Sequence, residues 1–241
     1  IRDVHMSRGL EMCIRDRIMS YNTVKRPGLI RNMLDKSNYL RYHMQTDNES
    51  YFDYFESIFS DTVTITADIT PSYSGLQKSR LSSIYSGFKQ RDIDCKAVML
   101  LRDPVDRIKS AVRYNLDRKN YDEGIENGET DFLQALEQYY KSEHCTIRTR
   151  YDKTIESVRG VFDREDIYIG IYEEMFDSDK IDNVSNFVGI KAKYDFASVK
   201  VNKTKSPTTV NHEIEEKVKN FYSEVYEYCN EEFPSTRNLW R

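Results

Sequence analysis

The sequence lacks long hydrophobic runs and paired cysteines. No apolar stretch in its 241 residues approaches the ~20 residues of a membrane-spanning helix, and no secretory signal is visible. The cysteines form no C-x-x-C pair, and only Cys145 has a histidine, His144, as a sequence neighbour, which argues against a metal site and predicts reduced, inert thiols. They are Cys13, Cys95, Cys145 and Cys229. The default location is therefore the cytoplasm, and a piece of a longer, membrane-anchored protein is the alternative.

The chain also lacks an excess of charge of one sign. Its 36 basic and 40 acidic residues give a formal net charge of −4, and this balance argues against a general nucleic-acid partner. With 39% hydrophobic and 32% charged residues, we expect a heavily charged surface around a core concentrated in a few strands. The length favours one α/β domain.

The most informative segment is KAVMLLRDPVDRIKSAVRY, residues 96–114. Its apolar run Ala97–Leu101 is typical of a strand that is buried on both faces of a parallel sheet. Asp103 suits the N-cap of a helix, and Pro104 suits the first helical position. The segment therefore predicts a buried strand that passes directly into a helix.

Arg102 and Ser110 lie where this unit could bind an anion. Open α/β sheets bind ligands at the carboxyl ends of their strands, and the backbone N–H groups and dipole of the following helix favour negative charge. Arg102 adds a permanent cation there, and Ser110 adds a hydroxyl on the second helical turn. The pattern indicates a phosphate site, and the alternative is an ordinary connection with a solvent-exposed arginine.

Two further predicted strands end in polar residues. An alternating segment from Val63 to Ala67 ends at Asp68, and the apolar run Ile167–Ile171 ends at Tyr172. Because the carboxyl ends of parallel strands share one edge, we expect Asp68, Arg102 and Tyr172 to converge on one cleft. The alternatives are an aspartate that caps a turn and an ordinary core or surface tyrosine.

The rest of the pattern alternates helices with these strands, which implies β–α–β units around a parallel sheet. Residues 117–130 are polar and predict a mobile surface loop. The helices are predicted at 51–59, 81–88, 132–140, 155–162, 181–188 with Gly189 as C-cap, and, as one long closing helix, 214–228.

The motif from Arg102 to Ser110, R-D-P-x-x-R-x-x-x-S after a strand, resembles the 3′-phosphate-binding segment of the sulfotransferases that use 3′-phosphoadenosine 5′-phosphosulfate (PAPS). The resemblance implies that Arg102 and Ser110 hold the 3′-phosphate of PAPS and that Arg107 has a structural role. It also implies a three-layer, P-loop-NTPase-like α/β fold in which helices flank a central parallel sheet.

The segment DITPSY, which begins at Asp68, resembles the E-K-T-P-x-Y segment of the heparan sulfate sulfotransferases and similar bacterial enzymes. Their glutamate is the general base, so the resemblance implies that Asp68 deprotonates the acceptor hydroxyl. Aspartate is one methylene shorter than glutamate. Ile69 replaces the lysine, so help with the sulfuryl group would come from elsewhere.

Two more segments extend the resemblance. IYEEMF resembles the F-Y-E-D-M stretch of cytosolic sulfotransferases, which implies that Tyr172 approaches the adenine. VNKTKSP, residues 201–207, resembles the F-N-K-T-K-G segment of the heparan sulfate enzymes, which implies that Lys205 meets a phosphate or an anionic substrate. A solvated loop charge is the alternative for Lys205.

The amino-terminal segment does not fit this pattern. Residues 1–20 show no clear period, and EMCIRDR resembles adapter-derived translation artefacts of metagenomic gene fragments. We expect residues 1–20 to be non-native or disordered, with a frayed native terminus as the alternative, and residues 21–241 to form a single sulfotransferase domain. Nothing in residues 1–60 matches the family's G-x-x-K-[SAT]-G-T-[TS] loop, so we expect the first strand and phosphate loop to be missing and the chain to be weakly active or inactive.

The resemblance thus implies transfer of a sulfuryl group from PAPS to a hydroxyl of a glycan or a small-molecule acceptor, without a metal. Two alternatives stay open. One is a P-loop kinase-like phosphotransferase that uses ATP, and the other is an inactive fragment that acts only as a nucleotide-binding module.

Overall fold

The computed structural model describes residues 5–6, 39, 42–44, 47–121, 123–195 and 212–240. They form a helix-rich α/β arrangement with short parallel strands, in two compact units, residues 1–95 and 96–241. The strands within the described ranges are β1 (His5–Met6), β2 (Thr66–Ala67), β3 (Ala97–Leu101) and β4 (Ile167–Ile171). The α-helices there are α1 (Asn48–Ile58), α2 (Lys78–Lys89), α3 (Pro104–Arg118), α4 (Phe132–Tyr139), α5 (Glu143–Thr149), α6 (Tyr151–Arg159), α7 (Ser178–Val188), α8 (His212–Phe221), α9 (Ser223–Glu232) and α10 (Thr236–Leu239).

In the first unit, β1 and β2 pair in parallel, with His5 opposite Thr66. The strand predicted from Val63 is reduced to these two residues of β2, because residues 63–65 have no strand partner in the described part of the unit. Of the segment predicted to be non-native, residues 1–20, the structure describes only His5 and Met6. The remainder of that prediction lies outside the described residues.

An aromatic core joins α1 to α2, and both helices were predicted from the sequence. The rings of Tyr51, Phe52 and Phe55 lie with their centroids 5.7, 5.1 and 5.9 Å from that of Phe88. Gly87 permits this packing, because a Cβ built there would lie 2.1 Å from Cζ of Phe52. Tyr51 of this core lies beside Tyr73, which belongs to the 3₁₀ turn Pro71–Gly75 that follows β2.

In the second unit, β3 and β4 pair in parallel from Ala97 opposite Ile167 to Leu101 opposite Ile171. The two predicted strands are confirmed, and they place Arg102 and Tyr172 directly after paired residues. One face of this strand pair packs against the helices, and together they form an apolar core. The core includes Leu101, Val105, Ile108, Val112, Leu136, Ile155, Val218 and Val225.

The prediction that β3 is buried on both faces was wrong. Val98 and Leu100 are 47% and 44% exposed, whereas Leu101 is fully buried. Side chains alternate between the faces of a strand, and a continuous apolar run is compatible with burial of one face or of both. The even-numbered residues of β3 therefore lie on an open face of this pair.

The segment predicted as a mobile surface loop, residues 117–130, is anchored by Glu123. Its Oε2 accepts a hydrogen bond from Asn115 at 3.0 Å, and its Oε1 lies 3.3 Å from Nε2 of His144 and 3.6 Å from Arg148. Burial alone would raise the pKa of Glu123, but the hydrogen bonds from His144 and Asn115 and the charge of Arg148 lower it to about 2. Because Ile125 is also buried, the loop belongs to the folded core of its unit.

The predicted long closing helix is divided into α8 and α9 at Tyr222. The hydroxyl of Tyr222 donates to the carbonyl of Tyr140 at 2.6 Å, which ties the break to the end of α4. The apolar period continues across the break, so the sequence pattern does not reveal it. The other predicted helices are present, and Gly189 ends α7 in the left-handed conformation with φ +77°.

None of the helices in the described ranges is both long enough and apolar enough to cross a membrane. Among the same residues, Cys95, Cys145 and Cys229 are free thiols, and the latter two are buried.

Candidate functional site

The junction of β3 and α3 forms the centre of the candidate site. Arg102 follows the last residue of β3, and α3 begins at Pro104. Oδ1 of Asp103 accepts the backbone N–H of Asp106 at 3.0 Å, which confirms Asp103 as the N-cap. Burial raises the pKa of Asp103, and its hydrogen bonds from Asp106 and Tyr226 oppose this rise.

The backbone amides at this helix start are already occupied by protein acceptors. The N–H of Asp103 donates to Oε1 of Glu173 at 3.0 Å, and that of Val105 donates to the hydroxyl of Tyr226 at 3.4 Å. The N–H of Asp106 is bound by the capping carboxylate. These amides are therefore not free to bind an anion, contrary to the prediction, and the groups left for this purpose are side chains.

The guanidinium of Arg102 lies over the ring of Tyr172, with Cζ 4.9 Å from the ring centroid. Such a cation–π contact contributes about 0.5–1 kcal/mol at an exposed site. Tyr172 is 37% exposed, and its ring meets that of Phe176 edge-on at 5.8 Å. Arg102 has no carboxylate partner among the residues that the structure describes. Within those residues, its charge is left available for an anion.

Ser110 and Arg107 occupy different surroundings on α3. Ser110 is half-buried on the second turn, and its hydroxyl makes no hydrogen bond within the described part of the chain. Arg107 points towards α5, where it donates to the carbonyl of Cys145 at 3.3 Å and to the hydroxyl of Thr149. These contacts join two helices, as a structural arginine would.

A cavity of about 480 Å³ lies on the open face of the β3–β4 pair. Because side chains alternate along a strand, residues 98 and 100 share a face with their partners 168 and 170. Arg102 and Tyr172 are the next even-numbered residues, and each directly follows the end of its strand. The cavity is lined by side chains that include Val98, Leu100, Tyr168, Lys180 and Asn183.

Distant residues hold the backbone on which Arg102 sits. Oε2 of Glu173 accepts the indole N–H of Trp240 at 3.0 Å, while its Oε1 holds Asp103. The hydroxyl of Tyr151 donates to the carbonyl of Arg102 at 3.0 Å. Contacts from the turn after β4, from α6 and from the last described residue of the chain thus fix the strand end.

In the first unit, the carboxylate of Asp68 lies between two hydroxyl donors. Thr70 donates to Oδ1 at 2.7 Å, and Tyr73 donates to Oδ2 at 2.5 Å. The hydroxyl of Tyr51 lies 3.5 Å from that of Tyr73. Burial raises the pKa of Asp68, and the hydrogen bonds from Tyr73, Thr70 and Tyr51 partly oppose this rise.

The sulfotransferase domain family matches residues 11–238, which is most of the chain. The chain belongs to the sulfotransferase family. No curated protein sequence matches it. Membership implies transfer of sulfuryl groups in general, and the family generally uses PAPS as the donor.

The structure brings some of the predicted site residues of this sulfotransferase together. Arg102 and Tyr172 are in contact, and Ser110 lies on the helix that follows Arg102. Asp68 belongs to the other unit, so its convergence with these residues stays a prediction. Lys205, with residues 201–207, lies outside the described residues.

Sequence reasoning missed the residues that support the candidate site. Glu173 lies inside the IYEEMF motif, so its position beside Tyr172 was a usable signal. Tyr151, Tyr226 and Trp240 gave no such signal, because their partners lie 49 to 123 residues away in the sequence. Tyr51 is likewise 22 residues from Tyr73.

Proposed function

We propose that this sulfotransferase transfers the sulfuryl group of PAPS to a hydroxyl of a glycan or a small-molecule acceptor. The observation that carries the proposal is the position of the Arg102 guanidinium. It lies over the partly exposed ring of Tyr172 and has no carboxylate partner in the described residues. A buried strand end with a cation and an aromatic ring suits a nucleotide that carries a phosphate. When bound, PAPS supplies the sulfuryl group.

The residues of the second unit fit the nucleotide part of PAPS. Arg102 would hold the 3′-phosphate by charge-assisted hydrogen bonds from its planar fork, and Ser110 would add a neutral donor. Tyr172 would stack on the adenine, and the cavity on the same face has a volume typical of small-molecule sites. Because the helix amides are already occupied, Arg102 would provide most of the phosphate affinity.

Asp68 would act as the general base. The acceptor oxygen would attack sulfur as the S–O bond to the 5′-phosphate of PAPS breaks, so that adenosine 3′,5′-bisphosphate leaves with the electron pair of that bond. The proton of the acceptor hydroxyl would pass to the carboxylate of Asp68. A positioned base of this kind typically accelerates a reaction ~10²–10⁴-fold. Burial makes Asp68 a stronger base than an exposed carboxylate, because it raises the pKa of this group.

The pairing of β3 with β4 and the helices after each strand support the proposed P-loop-NTPase-like architecture. The free thiols of the described cysteines support the cytoplasmic location. Family membership favours sulfuryl transfer over the kinase-like alternative. The remaining alternative, a nucleotide-binding module without transfer, shares the Arg102 site and differs in lacking the reaction.

Calorimetry tests the site by measuring the affinity for adenosine 3′,5′-bisphosphate and for ATP, which has no 3′-phosphate. We expect micromolar affinity for the bisphosphate, weaker affinity for ATP, and a loss of at least about tenfold for the bisphosphate in Arg102→Ala. Arg118→Ala is the matched control, because Arg118 lies over the ring of Tyr114 at 4.4 Å at the opposite end of α3. Equal affinity of Arg102→Ala and the unsubstituted chain would refute the site. Tight ATP binding would favour the kinase-like alternative.

A further inference from the structure

We propose that Thr70 and Tyr73 are positioning residues for Asp68 and that Tyr51 supports Tyr73 in this role. The inference rests on the proposed function, because it gives Asp68 the part of the base. It assigns roles to three hydroxyl groups that hold a carboxylate and do not themselves touch the acceptor.

The first argument is the geometry of the carboxylate. Rotation about the terminal bond of an aspartate side chain is loosely restrained. Thr70 binds Oδ1 at 2.7 Å and Tyr73 binds Oδ2 at 2.5 Å, so each oxygen has its own donor and the carboxylate plane is fixed. Each oxygen keeps a lone pair in a fixed direction, which is the requirement for accepting a proton from an oriented hydroxyl.

The second argument is the anchoring of Tyr73. Its hydroxyl donates to Asp68, so its oxygen is free to accept from Tyr51, 3.5 Å away. Tyr51 is 4% exposed, and its ring packs on Phe55 and Phe88. The aromatic core between α1 and α2 therefore fixes the hydroxyl chain that ends at Asp68.

The third argument is the absence of a charged partner. The groups of the described residues that face Asp68 are the hydroxyls of Tyr51, Thr70 and Tyr73, with Tyr54 nearby but without a hydrogen bond to it. Neutral donors hold the carboxylate without cancelling its charge. A lysine or arginine in their place would lower the basicity of Asp68 much more strongly.

The test measures the pKa of Asp68 directly, by carboxyl ¹³C NMR of the full chain. Removing a donor leaves burial less opposed, so we expect this pKa to rise in Tyr73→Phe and in Thr70→Val. Thr70→Ser keeps the hydroxyl and should restore the original value. Tyr54→Phe is the control for a nearby tyrosine that does not bind the carboxylate, and it should change nothing. The two donors are independent, so the test survives if one variant fails to fold.

Kinetics provide the second readout. We expect Tyr73→Phe to lower kcat of sulfuryl transfer by about tenfold, part of the ~10²–10⁴ that a positioned base supplies, with KM for PAPS unchanged. The acidic limb of the pH–rate profile should move upward together with the NMR value. An unchanged Asp68 pKa in both donor variants overturns the inference, and so does a limb that stays while the pKa moves. Absence of transfer by the unsubstituted chain counts against the proposed function alone, and the NMR result still decides whether the hydroxyls hold Asp68.

Discussion

The indole N–H of Trp240 donates to one carboxylate oxygen of Glu173, and the other oxygen accepts the backbone N–H of Asp103, each at 3.0 Å. One side chain thus joins the turn after β4, the start of α3 and Trp240. Trp240 is 6% exposed, so its N–H has little access to water as an alternative acceptor. Glu173 therefore helps to fix the strand end beside Arg102, together with Tyr151.

Replacing Glu173 should destabilise the second unit strongly. Glu173→Ala leaves two buried donors without an acceptor, which costs about 2–4 kcal/mol in the free energy of unfolding. Glu173→Gln keeps one acceptor oxygen and should lose less. Urea denaturation measures these values, and Glu174→Ala is the control, because its ion pair with Lys180 at 3.4 Å contributes at most about 1 kcal/mol. Equal losses for the two alanine variants would contradict the role of Glu173.

Ser110→Ala should weaken binding of adenosine 3′,5′-bisphosphate by about 10- to 150-fold, because a hydrogen bond to a charged acceptor contributes about 1.5–3 kcal/mol. The half-buried hydroxyl has no other partner in the described ranges, so the fold should be unaffected. Adenosine 5′-monophosphate, which lacks the 3′-phosphate, should bind the variant and the unsubstituted chain equally. A parallel loss for both nucleotides would place Ser110 outside the 3′-phosphate site.

Asp68→Asn should remove the base without removing the nucleotide site. We expect sulfuryl transfer to slow by ~10²–10⁴-fold, with the affinity for adenosine 3′,5′-bisphosphate unchanged. Asp61→Asn, in an exposed position of the same unit, is the control. Transfer at the original rate by Asp68→Asn would reject Asp68 as the base.

Glu123 should make the second unit sensitive to acid. Its pKa is lowered in the folded state from 4.5 to about 2, so its contribution to stability is complete above pH ~5 and is lost as the pH falls towards 2. The shift corresponds to about 3 kcal/mol. Urea denaturation between pH 7 and pH 2 should show this loss, and Glu123→Gln should flatten the curve across that range. Parallel curves for the unsubstituted chain and Glu123→Gln would show that Glu123 is not the origin of the acid-induced loss of stability.

The elements around Arg102 were predictable because their signals are local. The apolar run of β3, the Asp103 cap and the proline after it lie within a few residues of one another, and the contact of Arg102 with Tyr172 follows from the parallel pairing. The open face of β3 was not predictable, because an apolar run does not tell how many layers cover it. The occupied amides of α3 depend on Glu173 and Tyr226, 70 and 121 residues away, and no local pattern encodes such contacts.

The same limit applies to the first unit. The DITPSY motif pointed to Asp68, and Thr70 and Tyr73 lie within it. Tyr51, however, reaches Tyr73 only through the packing of α1 on α2. The anchoring of the loop by Glu123 was hidden for a similar reason, since His144 and Arg148 lie on the later helix α5.

The occupied amides at the start of α3 have an evolutionary consequence. Because Glu173, Tyr226 and Asp103 satisfy them internally, this corner of the protein holds its shape without an anion. In the proposed role of Arg102, ligand recognition and maintenance of the fold would depend on different residues. A single change at position 102 would then abolish recognition while the chain still folds, so the strand–helix junction is a tolerant starting point for divergence and for redesign.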